Sequence, residues 1–156
     1  MAEKILVPLD GSKVGEAALP YVEELVTKMQ PGTKVEVTLF QVMSSLSYYV
    51  VAGEASARVP YTEQEIEKMK GQAEAYLEKV GEPLRKAGAT TKVRVAVGNP
   101  VDEIIDAADD VKVNMIAMSS HGRSGLSRLT FGSVTDRVLR SGHMPVLVVK
   151  APKGTS

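Results

Sequence analysis

Short apolar runs alternate with amphipathic stretches along this chain, and the spacing inside each stretch predicts its type. Ile5-Leu6-Val7-Pro8-Leu9 is continuously apolar, as a strand covered on both faces must be, and Asp10-Gly11-Ser12 turns the chain toward a helix cap. Ala17, Tyr21, Leu25 and Met29 recur every four residues with Ala18, Val22 and Val26 beside them, so a helix follows with one wide apolar stripe. Pro20 interrupts that stripe, and because an interior proline removes a backbone hydrogen bond, the helix is kinked there or starts late. Residues 35 to 42 predict a second buried strand. Residues 43 to 61 have no clear period and predict a long loop, functional or mobile.

Thr62 with Glu65 forms a capping box, and Ile66, Met69, Ala73, Tyr76, Leu77, Val80 and Leu84 supply the inner face of the helix it opens. Residues 92 to 97 predict a third strand, Gly98-Asn99-Pro100 a turn, Val101 to Ala108 a short helix, and Met115 to Met118 a fourth strand. Ser133 to Ser141 reads as the last helix and Pro145 to Val149 as the last strand. Strands alternating with helices imply right-handed crossovers, hence an α/β fold: an open parallel five-stranded sheet with helices on both faces. The expected strand order is 3-2-1-4-5, which places a ligand crevice beyond the carboxyl ends of strands 1 and 4.

Composition narrows the functions available. The 156 residues suit a single domain over residues 1–150, with 151–156 as a flexible C-terminal tail. Nineteen basic residues balance nineteen acidic ones, which argues against nucleic acid and against an anionic membrane surface as partners. Without cysteine there is no disulfide and no thiolate chemistry, and the apolar run near Met1 is too short for a signal peptide or a membrane span, so a cytoplasmic location is expected. The two histidines, His121 and His143, have no carboxylate at helical spacing, so no metal site is expected.

Residues 119 to 133 depart from this ordinary background. Ser119-Ser120-His121-Gly122-Arg123-Ser124-Gly125 leads from strand 4 through Gly132-Ser133-Val134-Thr135 into a helix. Free N–H groups at a helix start attract anions, and glycine lets the backbone approach a phosphate with no side chain between. Between Ser120 and Arg140, four arginines (Arg123, Arg128, Arg137, Arg140) against one acid (Asp136) give a local charge of +3. Neither a GxxxxGK[ST] loop nor GxGxxG is present. Arg123 and Arg128 are either phosphate ligands or solvated. His121 has no acid to complete a triad and reads as a loop residue, and Met115 and Met118 read as core filler. Asp10 either holds a turn or accepts from ribose hydroxyls.

At these residues the chain resembles the universal stress protein family. Ser119-x2-Gly122-x9-Gly132-Ser133 follows the spacing of the family's ATP-binding motif, with serine in place of its first glycine, and the likeness runs from Lys4-Ile5-Leu6-Val7-Pro8-Leu9-Asp10 to Pro145-Val146-Leu147-Val148-Val149. The resemblance implies a Rossmann-like fold of the adenine nucleotide alpha hydrolase-like kind. It implies further that Pro8, Asp10 and Val42 line the adenine and ribose pocket with Met118 and Ser119 at its edge, while Gly122, Gly132, Ser133, Val134 and Thr135 hold phosphates. ATP or AMP is the implied ligand, with Mg²⁺ as a companion ion. If the backbone at Ser119 is left-handed, serine there costs on the order of 1 kcal/mol.

The last strand also leaves an apolar sheet edge that needs covering, and the resemblance implies a homodimer paired through Pro145 to Val149. Three functions follow: a nucleotide-binding regulator of the stress response whose state a protein partner reads, a slow ATPase or autokinase, and a dimeric interaction protein without nucleotide. The first requires no catalytic residue; the second needs Mg²⁺ and a base, for which Asp10 is the candidate.

Overall fold

The computed structural model describes residues 2–122 and 132–151. Seven strands and five helices are described: β1 (Ala2–Leu9), α1 (Leu19–Lys28), β2 (Lys34–Met43), β3 (Ser47–Ala52), β4 (Ala55–Pro60), α2 (Glu63–Val80), α3 (Glu82–Lys86), β5 (Thr90–Val97), α4 (Pro100–Val111), β6 (Met115–Ser119), α5 (Ser133–Ser141) and β7 (Val146–Val149). Five strands form one sheet in the order β5-β2-β1-β6-β7, every pairing parallel. With the β3–β4 hairpin left out of the count, this is the expected 3-2-1-4-5 order. β1 lies at the centre, in register from Ala2 opposite Lys34 to Leu9 opposite Gln41 on one side, and with Ile5 opposite Met115 on the other.

The continuous apolar runs now have their physical reason. Alternate residues of each central strand point to opposite faces, so Ile5, Val7 and Leu9 pack with Val22, Leu77 and Leu84 beneath α1, α2 and α3. Leu6, Phe40 and Ile116 pack with Val101, Ile104 and Val138 beneath α4 and α5. Each fully buried Leu or Val contributes about 1.5–3 kcal/mol. An exposed ion pair such as Lys28 with Glu24 contributes about 1 kcal/mol at most, so the two sheet faces hold the fold.

Three local expectations are refined or corrected. α1 starts late rather than kinking: Pro20 sits in its first turn, where its missing N–H costs nothing, and a 3-10 turn (Val14–Glu16) fills the gap after β1. The helix after Thr62 is two helices. Thr62 does cap α2, its Oγ1 accepting from the Glu65 N–H at 3.1 Å, but α2 ends at Gly81 and Pro83 opens α3. Arg85 closes that joint by donating to the Glu78 carbonyl at 2.6 Å, to Glu82 at 2.7 Å and to Thr91 of β5 at 2.8 Å, and its hydrogen bond holds the Glu82 carboxyl below the usual range.

The third correction concerns residues 43 to 61, which hold an antiparallel hairpin instead of a structureless loop. Ala52 pairs with Ala55 across the two-residue turn Gly53-Glu54, and Gly53 takes φ +64°, the left-handed first position that such turns give to glycine. Both hairpin faces are largely exposed, with Val50 at 47% on one and Val51 at 69% on the other. With no face buried there was no reason for the sequence to alternate, and so no period to read.

Candidate functional site

Two chain segments leave the sheet at the point where its order reverses. After β1, Gly11 takes φ +85° and folds the chain back so that Ser12 closes on Asp10: the Ser12 N–H and Oγ–H both donate to Asp10 Oδ1, at 2.9 and 2.5 Å. Ser12 Oγ in turn accepts from the Gly15 N–H at 3.1 Å. The carboxylate is therefore held in one orientation by its own turn. A Cβ on Gly15 would stand 2.5 Å from Asp10 Oδ1, and a Cβ on Gly122 2.5 Å from Asp10 Oδ2. The chain after β6 thus passes directly against the carboxylate after β1, and only glycine permits it.

The β6 side is fixed just as closely. Ser119 is buried and donates from Oγ to the Val14 carbonyl at 2.9 Å, tying the end of β6 to the 3-10 turn after β1. Its backbone is not left-handed: among the described residues the one non-glycine residue with positive φ is Lys112. The cost anticipated for serine in place of the motif's first glycine is therefore absent, and the hydroxyl is engaged with Val14. Thr135 Oγ1, also buried, donates to the Ser119 carbonyl at 2.8 Å and anchors the first turn of α5. The Gly132 N–H donates to the Ser120 carbonyl at 2.6 Å. Gly132 has φ −57°, a conformation open to any residue, and a Cβ there would make ordinary van der Waals contact with Ser120 O at 3.4 Å and His121 Cα at 3.5 Å.

Among the described residues, side chains cap the starts of α2 and α4, while α1, α3 and α5 start without one. Thr62 caps α2, and Asn99 caps α4 by accepting from the Val101 and Asp102 N–H groups at 3.0 and 3.2 Å. α5 begins at Gly132 with no side-chain cap among the described residues. Its first N–H groups, together with the positive end of its dipole, face a crevice of about 880 Å³. Small-molecule sites span about 300–1,000 Å³.

Pro8, Asp10, Val42, Met118 and Ser119 line this crevice on the strand side, and Gly122, Gly132, Ser133, Val134 and Thr135 line it on the α5 side. Ten positions singled out in the sequence thus converge on one cavity. Arg123 lies outside the described residues, as do Arg128 and Gly125. The expected cluster of positive charge is corrected in part: Arg140 pairs with Asp136, its Nε donating to the carboxylate at 3.0 and 3.1 Å, and neither Arg137 nor Arg140 lines the crevice.

Further wall residues were not anticipated: Gln41, Met43, Ser44, Ser45, Tyr61, Met69, Pro100 and Ile104, together with His121. Ser44, Ser45 and Tyr61 flank the hairpin, so its roots border the crevice while its tip stands clear. Ser120 Oγ accepts from the Ala151 N–H at 2.9 Å and lies 2.9 Å from His121 Nδ1. Gln41 Oε1 and His121 Nε2 are the two buried side-chain polar atoms without a hydrogen-bond partner among the described residues. Other atoms of both residues contribute to the crevice wall.

An open parallel sheet with a crevice at the switch point of its strand order defines a Rossmann-like class of α/β protein. The model of the universal stress protein family matches residues 1–150, and the chain belongs to that family. It is 33% identical over 159 residues to universal stress protein MJ0577 of Methanocaldococcus jannaschii, covering 96% of each chain. The solved structure of MJ0577 superposes with a TM-score of 0.75 at 30% identity, covering 99% of both chains. Universal stress protein MJ0531 of the same organism is 30% identical over 151 residues, or 97% of this chain and 84% of that one. A universal stress protein family protein from Arabidopsis thaliana, solved with AMP bound, shares the fold at a TM-score of 0.65 and 17% identity, covering 97% of this chain and 93% of that one.

Proposed function

We propose that this chain binds an adenine nucleotide, ATP by preference and AMP as the smaller alternative, and acts as a regulatory protein of the stress response. The observation that carries this reading is the uncapped start of α5 opening into a nucleotide-sized crevice walled by Asp10 and Val42. Phosphate oxygens would accept from the N–H groups of Ser133, Val134 and Thr135, with Gly122 and Gly132 leaving the backbone bare for their approach. Asp10 Oδ2 would accept from ribose hydroxyls, while Pro8, Val42 and Met118 flank the base. Mg²⁺ would accompany the phosphates and offset their charge, and Arg123 is proposed as a further phosphate ligand. Asp10 Oδ1 already accepts two hydrogen bonds from Ser12, which suits an orienting carboxylate better than a general base. Bound nucleotide would order the surface around the crevice, and that surface is what a protein partner would read. A homodimer through Pro145 to Val149 is part of the same proposal.

Calorimetric titration of nucleotide-stripped protein with ATP and Mg²⁺, with AMP and GTP alongside, tests the reading. Saturable binding near one ATP per chain is expected. The variant Gly132→Val should abolish it while the protein still folds, since methyls beyond Cβ would fill the space against Ser120 and His121. Unchanged affinity in that variant would remove α5 from the site.

A further inference from the structure

The β3–β4 hairpin stands apart from the main sheet as a two-stranded ribbon, and among the described residues no third strand joins it. A lone ribbon of this kind is marginal in water and is stabilised by added strands. Its closing pair, Ala52 and Ala55, bond to each other across the turn, and at the root the Tyr61 N–H donates to the Leu46 carbonyl at 2.8 Å, which keeps the same alternation. Tyr48 and Val50 therefore bond inward to β4, while Tyr49 and Val51 turn their N–H and C=O groups to the outer edge of β3. On β4 the outward positions are Ser56, Arg58 and Pro60, so that edge carries a charge and lacks an N–H. β3 has neither defence, and its Tyr49 and Val51 are 68% and 69% exposed.

We propose that the outer edge of β3 pairs antiparallel with the same edge of a second copy of this chain, about a two-fold axis at Val50, so that the two hairpins form one continuous sheet. In that register Tyr49 of each copy lies beside Val51 of the other and exchanges both backbone hydrogen bonds with it, and the two Val50 side chains meet on the opposite face. An aromatic beside a β-branched residue is a favourable cross-strand pair. Ser47 sets the register, because Ser45 Oγ already engages its carbonyl at 2.9 Å and its N–H at 3.4 Å, and the ladder does not extend to it. Charge favours a second copy as the occupant. A two-fold axis sets each strand against itself, which β3 tolerates because it has no charged residue, whereas pairing through β4 would bring two Arg58 side chains together. Even counted over both copies, the partly exposed tyrosines and valines of β3 bury less than the roughly 1,200 Å² at which permanent interfaces start. The contact is therefore reversible and separate from the β7 pairing.

The chain has no cysteine, so a single introduced thiol reports the pairing. At a non-hydrogen-bonded antiparallel pair the Cα atoms lie about 4.5 Å apart, within the range of about 4.4–6.8 Å that a disulfide spans. Under air oxidation Val50→Cys should form a covalent two-chain product about tenfold faster than Ala57→Cys, whose thiol is also exposed and on the same ribbon face but belongs to β4. Adding Val51→Pro to Val50→Cys deletes an outward N–H that the hairpin itself does not use, and the rate should fall to that of Ala57→Cys. Equal rates for the two single-cysteine variants overturn the pairing and leave the β3 edge to a strand of another protein. A rate that Val51→Pro does not lower overturns it as well, because the sulfurs then meet without the ladder. Neither outcome depends on whether the crevice binds a nucleotide.

Discussion

The Asp10 carboxylate occupies a slot with no slack: Ser12 grips one oxygen, and Gly15 and Gly122 approach to where a methyl group would overlap it. Gly122→Ala therefore forces the carboxylate out of its turn or the β6 segment away from β1. Overpacking of this kind costs about 1–3 kcal/mol. The sharper expectation is a double-mutant cycle. In an Asp10→Ala background the obstructing oxygen is gone, so Gly122→Ala should cost much less than in the wild type, and the two changes should be strongly non-additive. Chemical denaturation of the four proteins measures this, and an equal cost in both backgrounds would mean that the glycine serves another contact. For ligand affinity, either single change should weaken ATP, since both displace the group proposed to face the ribose.

At the level of elements, two glycines of one helical region show how context decides. Gly71 lies inside α2 with nothing within 4 Å of where a Cβ would stand, whereas a Cβ on Gly81 would lie 2.6 Å from Leu39 Cδ1, part of a fully buried side chain. Gly71→Ala should stabilise the protein by about 0.5–1 kcal/mol through helix propensity. Gly81→Ala should destabilise it by about 1–3 kcal/mol through overpacking. Opposite shifts in melting temperature check both.

The same contrast explains what could be read from the sequence. β1 and β6 were legible because a strand covered on both faces is continuously apolar, β2 because it is rich in β-branched and apolar residues, and the α5 start because glycine, serine and threonine cluster before it. Pro83 did signal the break between α2 and α3, but the stripe through Leu84 obscured it. The β3–β4 hairpin left only Gly53-Glu54 as a cue. The backbone conformation of Ser119 and the missing partner of Gln41 are properties of packing, which no spacing along the chain encodes.

For the whole molecule, the two edges of the sheet are unlike. β5 carries Lys92, paired with Glu36 at 3.0 Å, and Arg94, paired with Asp110 at 2.8 Å, and such charges discourage another strand from docking. β7 reads Val146-Leu147-Val148-Val149, without a charge. The Pro145 and Val149 carbonyls accept from β6, at 2.9 Å from Ile116 N and 2.8 Å from Ser120 N. By the alternation of a strand, Val146 and Val148 therefore turn their N–H and C=O groups outward, to the open edge. That edge supports the proposed dimer and makes a clean test available. Val148→Pro deletes an outward N–H that the sheet of a single chain does not use, and proline is tolerated on an edge strand facing this way. Sedimentation velocity should find a two-chain species for the wild type and a one-chain species for Val148→Pro. ATP binding should survive the change, because the proposed ligand positions all come from one chain. A wild type that sediments as a single chain would rule out the β7 pairing, and a Val148→Pro variant that still sediments as two would move the dimer contact elsewhere, with the exposed β3–β4 hairpin the next surface to examine.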